Sequence, residues 1–78
     1  MATYSNVGYI NVAEVERSIL AAGGGKSERS NSDGSTHVSV YCTHMNWHLS
    51  YDVYPDGHYE NVHTDRDNHG YMDYKGAY

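Results

Sequence analysis

Two stretches near the middle of the chain, "THVSVYCT" and "WHLSYDVY", alternate apolar and polar residues with a period of two. Val38, Val40 and Cys42 fall on one side of the first, and Trp47, Leu49, Tyr51 and Val53 on one side of the second. A strand turns successive side chains to opposite faces, so each stretch reads as a half-buried β-strand. The intervening "HMN" is short enough for an antiparallel turn. "YPDGH" supplies a second turn built on Pro55 and Gly57, leading to a third strand over roughly 58–64. Beyond the break at "RDNHG", "YMDY" offers a fourth. A two-residue turn at Asp56-Gly57 would set Tyr51 opposite Val62, whereas a three-residue turn with a bulge would set Asp52 opposite Glu60. Opposed like charges favour the first register.

A sheet with one apolar face needs a cover. Asn11, with Glu14 three residues on, has the form of a capping box, and "VAEVERSILAA" contains no Gly or Pro before Gly23, which predicts a helix over 12–22. Val12, Val15, Ile19 and Ala22 form one stripe on that helix, with Ala13 and Leu20 beside it. Glu16 interrupts the arc and is expected at the rim beside Leu20; a buried acid is the alternative. The fold class expected is therefore α+β: one N-terminal helix packed on a three- or four-stranded antiparallel sheet, forming a single domain over 1–78. Residues 1–10 leave room for a further strand.

Between helix and sheet, "GGGKSERSNSDGS" offers no apolar area to bury and is expected to form a flexible Gly/Ser-rich loop at 23–35. Its "GGGKS" has the ending of a phosphate-binding loop. The full pattern requires Gly where Leu20 stands, and a helix after the loop rather than before it. The preceding helix would point its N-terminal dipole away from a phosphate at Lys26, so no nucleotide is expected there.

Val, Ile, Leu and Phe number only 11 of 78 residues, whereas there are nine Tyr and one Trp. Aromatic rings can replace missing aliphatic volume, but each Tyr hydroxyl needs a partner or water, so several rings must lie half buried. Ten acids against five bases give a formal charge of −5, which opposes direct nucleic-acid binding and suits a partner with a basic surface. Six His would protonate below about pH 6.5 and offset much of that charge, weakening such binding in acid. The lone Cys42 cannot form an internal disulfide, and no signal-peptide or membrane-spanning pattern is visible, so a cytoplasmic location is expected.

Three constellations carry possible chemistry. Asp65, Asp67, His69, Gly70 and Asp73 follow the spacing of a calcium loop, but His69 replaces an oxygen ligand and Gly76 replaces the bidentate Glu, so an acidic turn is the expectation. Cys42, His44 and His48 have zinc-type donors without a fourth ligand in pattern; His63 or His69 would have to supply it, and a packed Cys42 is the simpler outcome. Cys42 with a His, or His63 with Asp65, has the form of a nucleophile or general-base pair, although six His and ten acids produce such neighbours by chance. No metal, cofactor or catalytic residue is expected. The rival is a small metal-binding protein, or a metal-dependent nuclease, using Cys42, His44, His48, His63 and Asp65.

The remaining pattern interleaves Tyr with acid. "YDVYPDGHYE" and "HGYMDY" nominate Tyr54, Asp56, Tyr59, Glu60, Asp65, Asp67, Tyr71, Asp73 and Tyr74 as a partner-binding set. Tyr offers large rigid contact area, and neighbouring acids complement Lys and Arg across an interface. In size, acidity and Tyr content the chain resembles the small inhibitors that phages encode against host defence systems, anti-CRISPR proteins among them. That resemblance implies a non-enzymatic, stoichiometric binder that occupies a basic, nucleic-acid-handling protein surface in the host cytoplasm.

Overall fold

The computed structural model describes residues 3–4, 8–66 and 70–78. The elements run β1 (Thr3–Tyr4), β2 (Tyr9–Ile10), α1 (Val12–Ala21), β3 (Gly25–Ser30), β4 (Thr36–Cys42), β5 (Trp47–Val53), β6 (Tyr59–Arg66), β7 (Gly70–Asp73) and β8 (Gly76–Ala77). The main sheet has the order β1-β7-β6-β5-β4-β3. Strands β3 to β7 form five consecutive antiparallel strands, and β1 lies parallel to β7 at the edge. A separate parallel pair joins β2 to β8. The class is α+β as expected, with more strands than the three or four read from the sequence.

The helix begins where the capping pattern places it. Asn11 Oδ1 accepts the Glu14 backbone N–H at 3.1 Å, satisfying one of the donors that a helix start leaves unpaired. It ends in a Schellman motif: the Gly23 N–H donates to the Leu20 carbonyl and the Gly24 N–H to the Ile19 carbonyl. Val12 and Ile19 are buried, with Val15 and Ala22 packed partly against the same core. Facing them from the sheet are Val38, Val40, Cys42, Leu49 and Tyr51, the inward set of the two alternating strands. Glu16 sits at the rim, accepting the Tyr51 hydroxyl at 2.6 Å and Lys26 Nζ at 3.2 Å.

Two expectations need correction. The segment 23–35 is not a loop throughout, because β3 pairs with β4 from Gly25↔Tyr41 to Ser30↔Thr36. Its side chains are mostly exposed, and an edge strand with solvent around it needs backbone partners rather than apolar alternation. The turn that follows is fastened by polar groups: the Asn31 N–H donates to the Ser35 carbonyl, and Asp33 accepts from both the backbone and the hydroxyl of Ser35.

The second correction concerns the β5–β6 register. Asp52 stands opposite Glu60, Ser50 opposite His63, and the register shifts between them, so β6 carries a bulge across from Tyr51. Asn61 takes a positive φ of 54° at that bulge. The opposed acids are tolerated because each has its own donor. Asp52 accepts from Asn61 Nδ2 at 3.0 Å and Asn31 Nδ2 at 3.1 Å and contacts His37 Nδ1 at 2.9 Å, while Glu60 is drawn to His58 Nε2 at 2.7 Å.

Tyr78 is tied to the chain beside the helix start. The Tyr78 N–H donates to the Ile10 carbonyl, and the Val12 N–H donates to the Tyr78 carbonyl. No helix among the described residues is long and apolar enough to cross a membrane.

Candidate binding face

The helix packs on one face of the sheet, over β3 to β5, and alternation sends the intervening residues of β4 to β7 to the other. On that outer face β4 contributes His37, Ser39 and Tyr41, and β5 contributes His48, Ser50 and Asp52. The register adds Ser27 and Arg29 from β3, Glu60, His63 and Asp65 from β6, and Asp73 from β7. The face is a polar lattice of imidazoles and carboxylates. His37 meets Asp52, His48 lies opposite Asp65 and 3.4 Å from Ser39 Oγ, and His63 Nδ1 bonds Asp73. Ser50, short and flanked by these larger groups, is buried. Shallow hollows interrupt the face, among them one of about 160 Å³ beside Arg29 and His37 and one of about 220 Å³ beside Asn61, His63 and Asp73.

The electrostatics follow from this crowding. Asn61, His37 and Asn31 hold the Asp52 carboxyl below its usual range, the Asn61 hydrogen bond most strongly. His48 is pushed down chiefly by burial, and further by the imidazoles of His37 and His63, with Asp65 opposing. At the hairpin tip Asp56 and Glu60 grip the two nitrogens of His58, raising its pKa, with Glu60 the larger cause. Tyr54 stacks on the His58 ring with centroids 4.6 Å apart and donates its hydroxyl to Asp33 at 3.1 Å.

The lowered His48 value sets a sign. Between its folded pKa and the ordinary 6.5, the unfolded chain binds more protons at this position than the native one, so stability is lost as pH falls below 6.5. The urea midpoint of the wild type should therefore drop more between about pH 7 and about pH 5 than that of His48→Gln. Equal drops would show that His48 is not the acid-sensitive group.

The nominated Tyr–acid set divides between the two faces. Asp56, Glu60, Asp65 and Asp73 lie on the outer face or the hairpin, with Tyr54 beside them. Tyr59 turns inward and meets Tyr51 edge-on at 5.3 Å, and Tyr74 packs against the core. Tyr71 stands opposite Asp65 in the register. Asp67 and His69 lie outside the described residues. The histidines of β4 and β5 were the omission, and the alternation that located the core also marks them, since His37, Ser39, His48, Ser50 and Asp52 are its off-phase positions.

The zinc set is divided between the two faces, and of the two catalytic pairs the structure brings Cys42 to a histidine, His44, but gives His63 and Asp65 other neighbours. Cys42 is buried on the inner face, with its Sγ donating to the Ala22 carbonyl at 3.5 Å and lying 3.4 Å from His44 Nδ1, whereas His48 and His63 are on the opposite face. Among the described residues no three His, Cys, Asp or Glu are placed to hold one ion. His63 takes Asp73 as its partner, and Asp65 stands opposite His48. Lys26, at the end of the glycine run, reaches Glu16 and Glu28. Comparison with protein-family models, curated proteins and solved structures finds no match to this chain.

Proposed function

We propose that this protein is a non-enzymatic binding protein whose outer sheet face and β5–β6 hairpin cover a basic protein surface. The observation that carries the reading is the composition of the face left uncovered by α1: Asp52, Glu60, Asp65 and Asp73 stand there against Arg29 as the one Lys or Arg among the described residues. Asp56 extends the acidic strip to the hairpin tip, and Tyr54, braced by His58 and Asp33, supplies a rigid aromatic edge. Lys or Arg from a partner would displace the imidazoles as donors to these carboxylates, which is stronger charge-assisted bonding at neutral pH. The compositional resemblance to phage-encoded inhibitors of host defence supports the same mode here: stoichiometric occupation of a basic, nucleic-acid-handling surface in the host cytoplasm.

The test is kinetic, on a purified partner. Asp56→Asn with Glu60→Gln should slow association and flatten its salt dependence, since peripheral charges act mainly on encounter. Tyr54→Ala should instead speed dissociation, because truncating an aromatic anchor commonly costs about 2 kcal/mol. Association indifferent to salt and to all three changes would reject the reading, as would turnover of a substrate by the purified protein alone.

A further inference from the structure

The ten-residue helix is too short to cover the whole inner face of a six-stranded sheet. It packs on β3, β4 and β5, leaving a half-open cleft of about 120 Å³ beside β6 and β7, lined by Val15, Trp47, Thr64, Arg66, Met72 and Tyr74. Two features of this cleft lack an internal explanation. Thr64 is 4% exposed and its Oγ1 is the one buried side-chain oxygen or nitrogen without a hydrogen-bond partner among the described residues. A hydroxyl in that state has lost its water without gaining a partner, which destabilises the free protein. Arg66 stacks over the Trp47 ring at 4.3 Å and forms no ion pair among the described residues, although the chain has twice as many acids as bases.

We propose that this cleft binds a small free carboxylic acid with an apolar body, its carboxylate held by the Arg66 guanidinium and the Thr64 hydroxyl. Thr64 and Arg66 are two positions apart on one strand and share its inner face; the Thr64 hydroxyl is closed to solvent in the free protein, so a turn about its χ1 on binding brings it to the group that Arg66 holds. A carboxylate accepts from the planar guanidinium fork and from a hydroxyl simultaneously, and this would satisfy Thr64. Trp47, Met72, Val15 and Tyr74 offer apolar walls of ring size; an engineered cavity of about 150 Å³ takes up benzene. The acidic strip of the outer face lies across the sheet and does not oppose the anion at contact range. The site is thus separate from the proposed protein-binding face and takes the opposite charge.

Trp47 is the only tryptophan, so its fluorescence reports the cleft without interference. Titration with benzoate should give a saturable change in Trp47 emission, accompanied by a shift of the Thr64 methyl resonance. Benzamide, similar in shape but uncharged, should bind about tenfold more weakly, and Arg66→Gln should weaken benzoate by about the same factor. Thr64→Val should weaken benzoate several-fold while leaving the urea midpoint unchanged or raised, because the substitution removes an unsatisfied hydroxyl and keeps the shape. That last pair of readings separates lost binding from lost folding. Failure of both benzoate and 4-methylpentanoate to move either signal at tens of millimolar would overturn the proposal. So would equal affinity of benzoate for the wild type and Arg66→Gln.

Discussion

Gly24→Ala is expected to unfold the protein at ambient temperature, whereas Gly25→Ala, one residue later, is expected to be well tolerated. A Cβ at Gly24 would lie 2.4 Å from the Tyr41 carbonyl oxygen, 2.7 Å from the Ile19 carbonyl oxygen and 2.8 Å from Ile19 Cγ2. Two of the three obstacles are backbone, belonging to α1 and β4, so relief requires the helix end to lift from the sheet. That movement would break the Schellman hydrogen bond from Gly24 to Ile19 and loosen the most buried side chain of the helix. Ordinary overpacking costs about 1–3 kcal/mol, and an obstacle with no soft side belongs at or above the top of that range. A 78-residue domain has roughly 4–12 kcal/mol of total stability to lose. At Gly25 the three atoms nearest to the added carbon all belong to the Tyr41 side chain, at 3.1–3.3 Å, and a half-exposed side chain can yield. Circular dichroism and urea melts of the two variants make the comparison. Similar midpoints would contradict the close approach of α1 to β4.

The second large effect contrasts the two faces of one strand. Leu49 is fully buried under α1, and Leu49→Ala should cost about 2–5 kcal/mol through lost transfer energy and the cavity left behind. Its neighbour His48 lies on the outer face, and His48→Ala should cost less than about 1 kcal/mol at neutral pH. The outer face is thereby free to serve binding without serving the core. Comparable losses for the two variants would mean that the outer face is covered in the folded protein.

What the sequence disclosed depended on whether burial left a periodic trace. Val38, Val40, Cys42, Leu49 and Tyr51 alternate because one face of β4 and β5 meets the helix, and Asn11 marks the helix start through a local hydrogen bond. Strand β3 leaves no such trace. Its Lys26, Ser27, Glu28 and Arg29 are exposed, and what makes it a strand is a backbone ladder that runs from Gly25↔Tyr41 to Ser30↔Thr36, pairings that local sequence does not mark. The glycines before it resemble a linker in composition, yet Gly23 and Gly24 close the helix and admit β4 at contact distance. The β5–β6 register escaped for a related reason: the repulsion between Asp52 and Glu60 is offset by Asn31, Asn61, His37 and His58, which only the folded chain brings together. Within the Tyr–acid surface, the acids of the hairpin and β6 were legible as a cluster, but the inward turn of Tyr59 depends on the bulge at Asn61 and so on the tertiary register.

Binding through the outer face requires that this face, and not the helix side, meets the partner. Residue-resolved amide and side-chain footprinting of the protein, free and in complex with a purified basic partner, tests this directly. The expected result is protection at the β5–β6 hairpin and altered signals at His37, His48, His63 and Asp65, with α1 and Trp47 unchanged. A footprint on α1, or on the exposed edge of β3, with the outer face unaffected would contradict it.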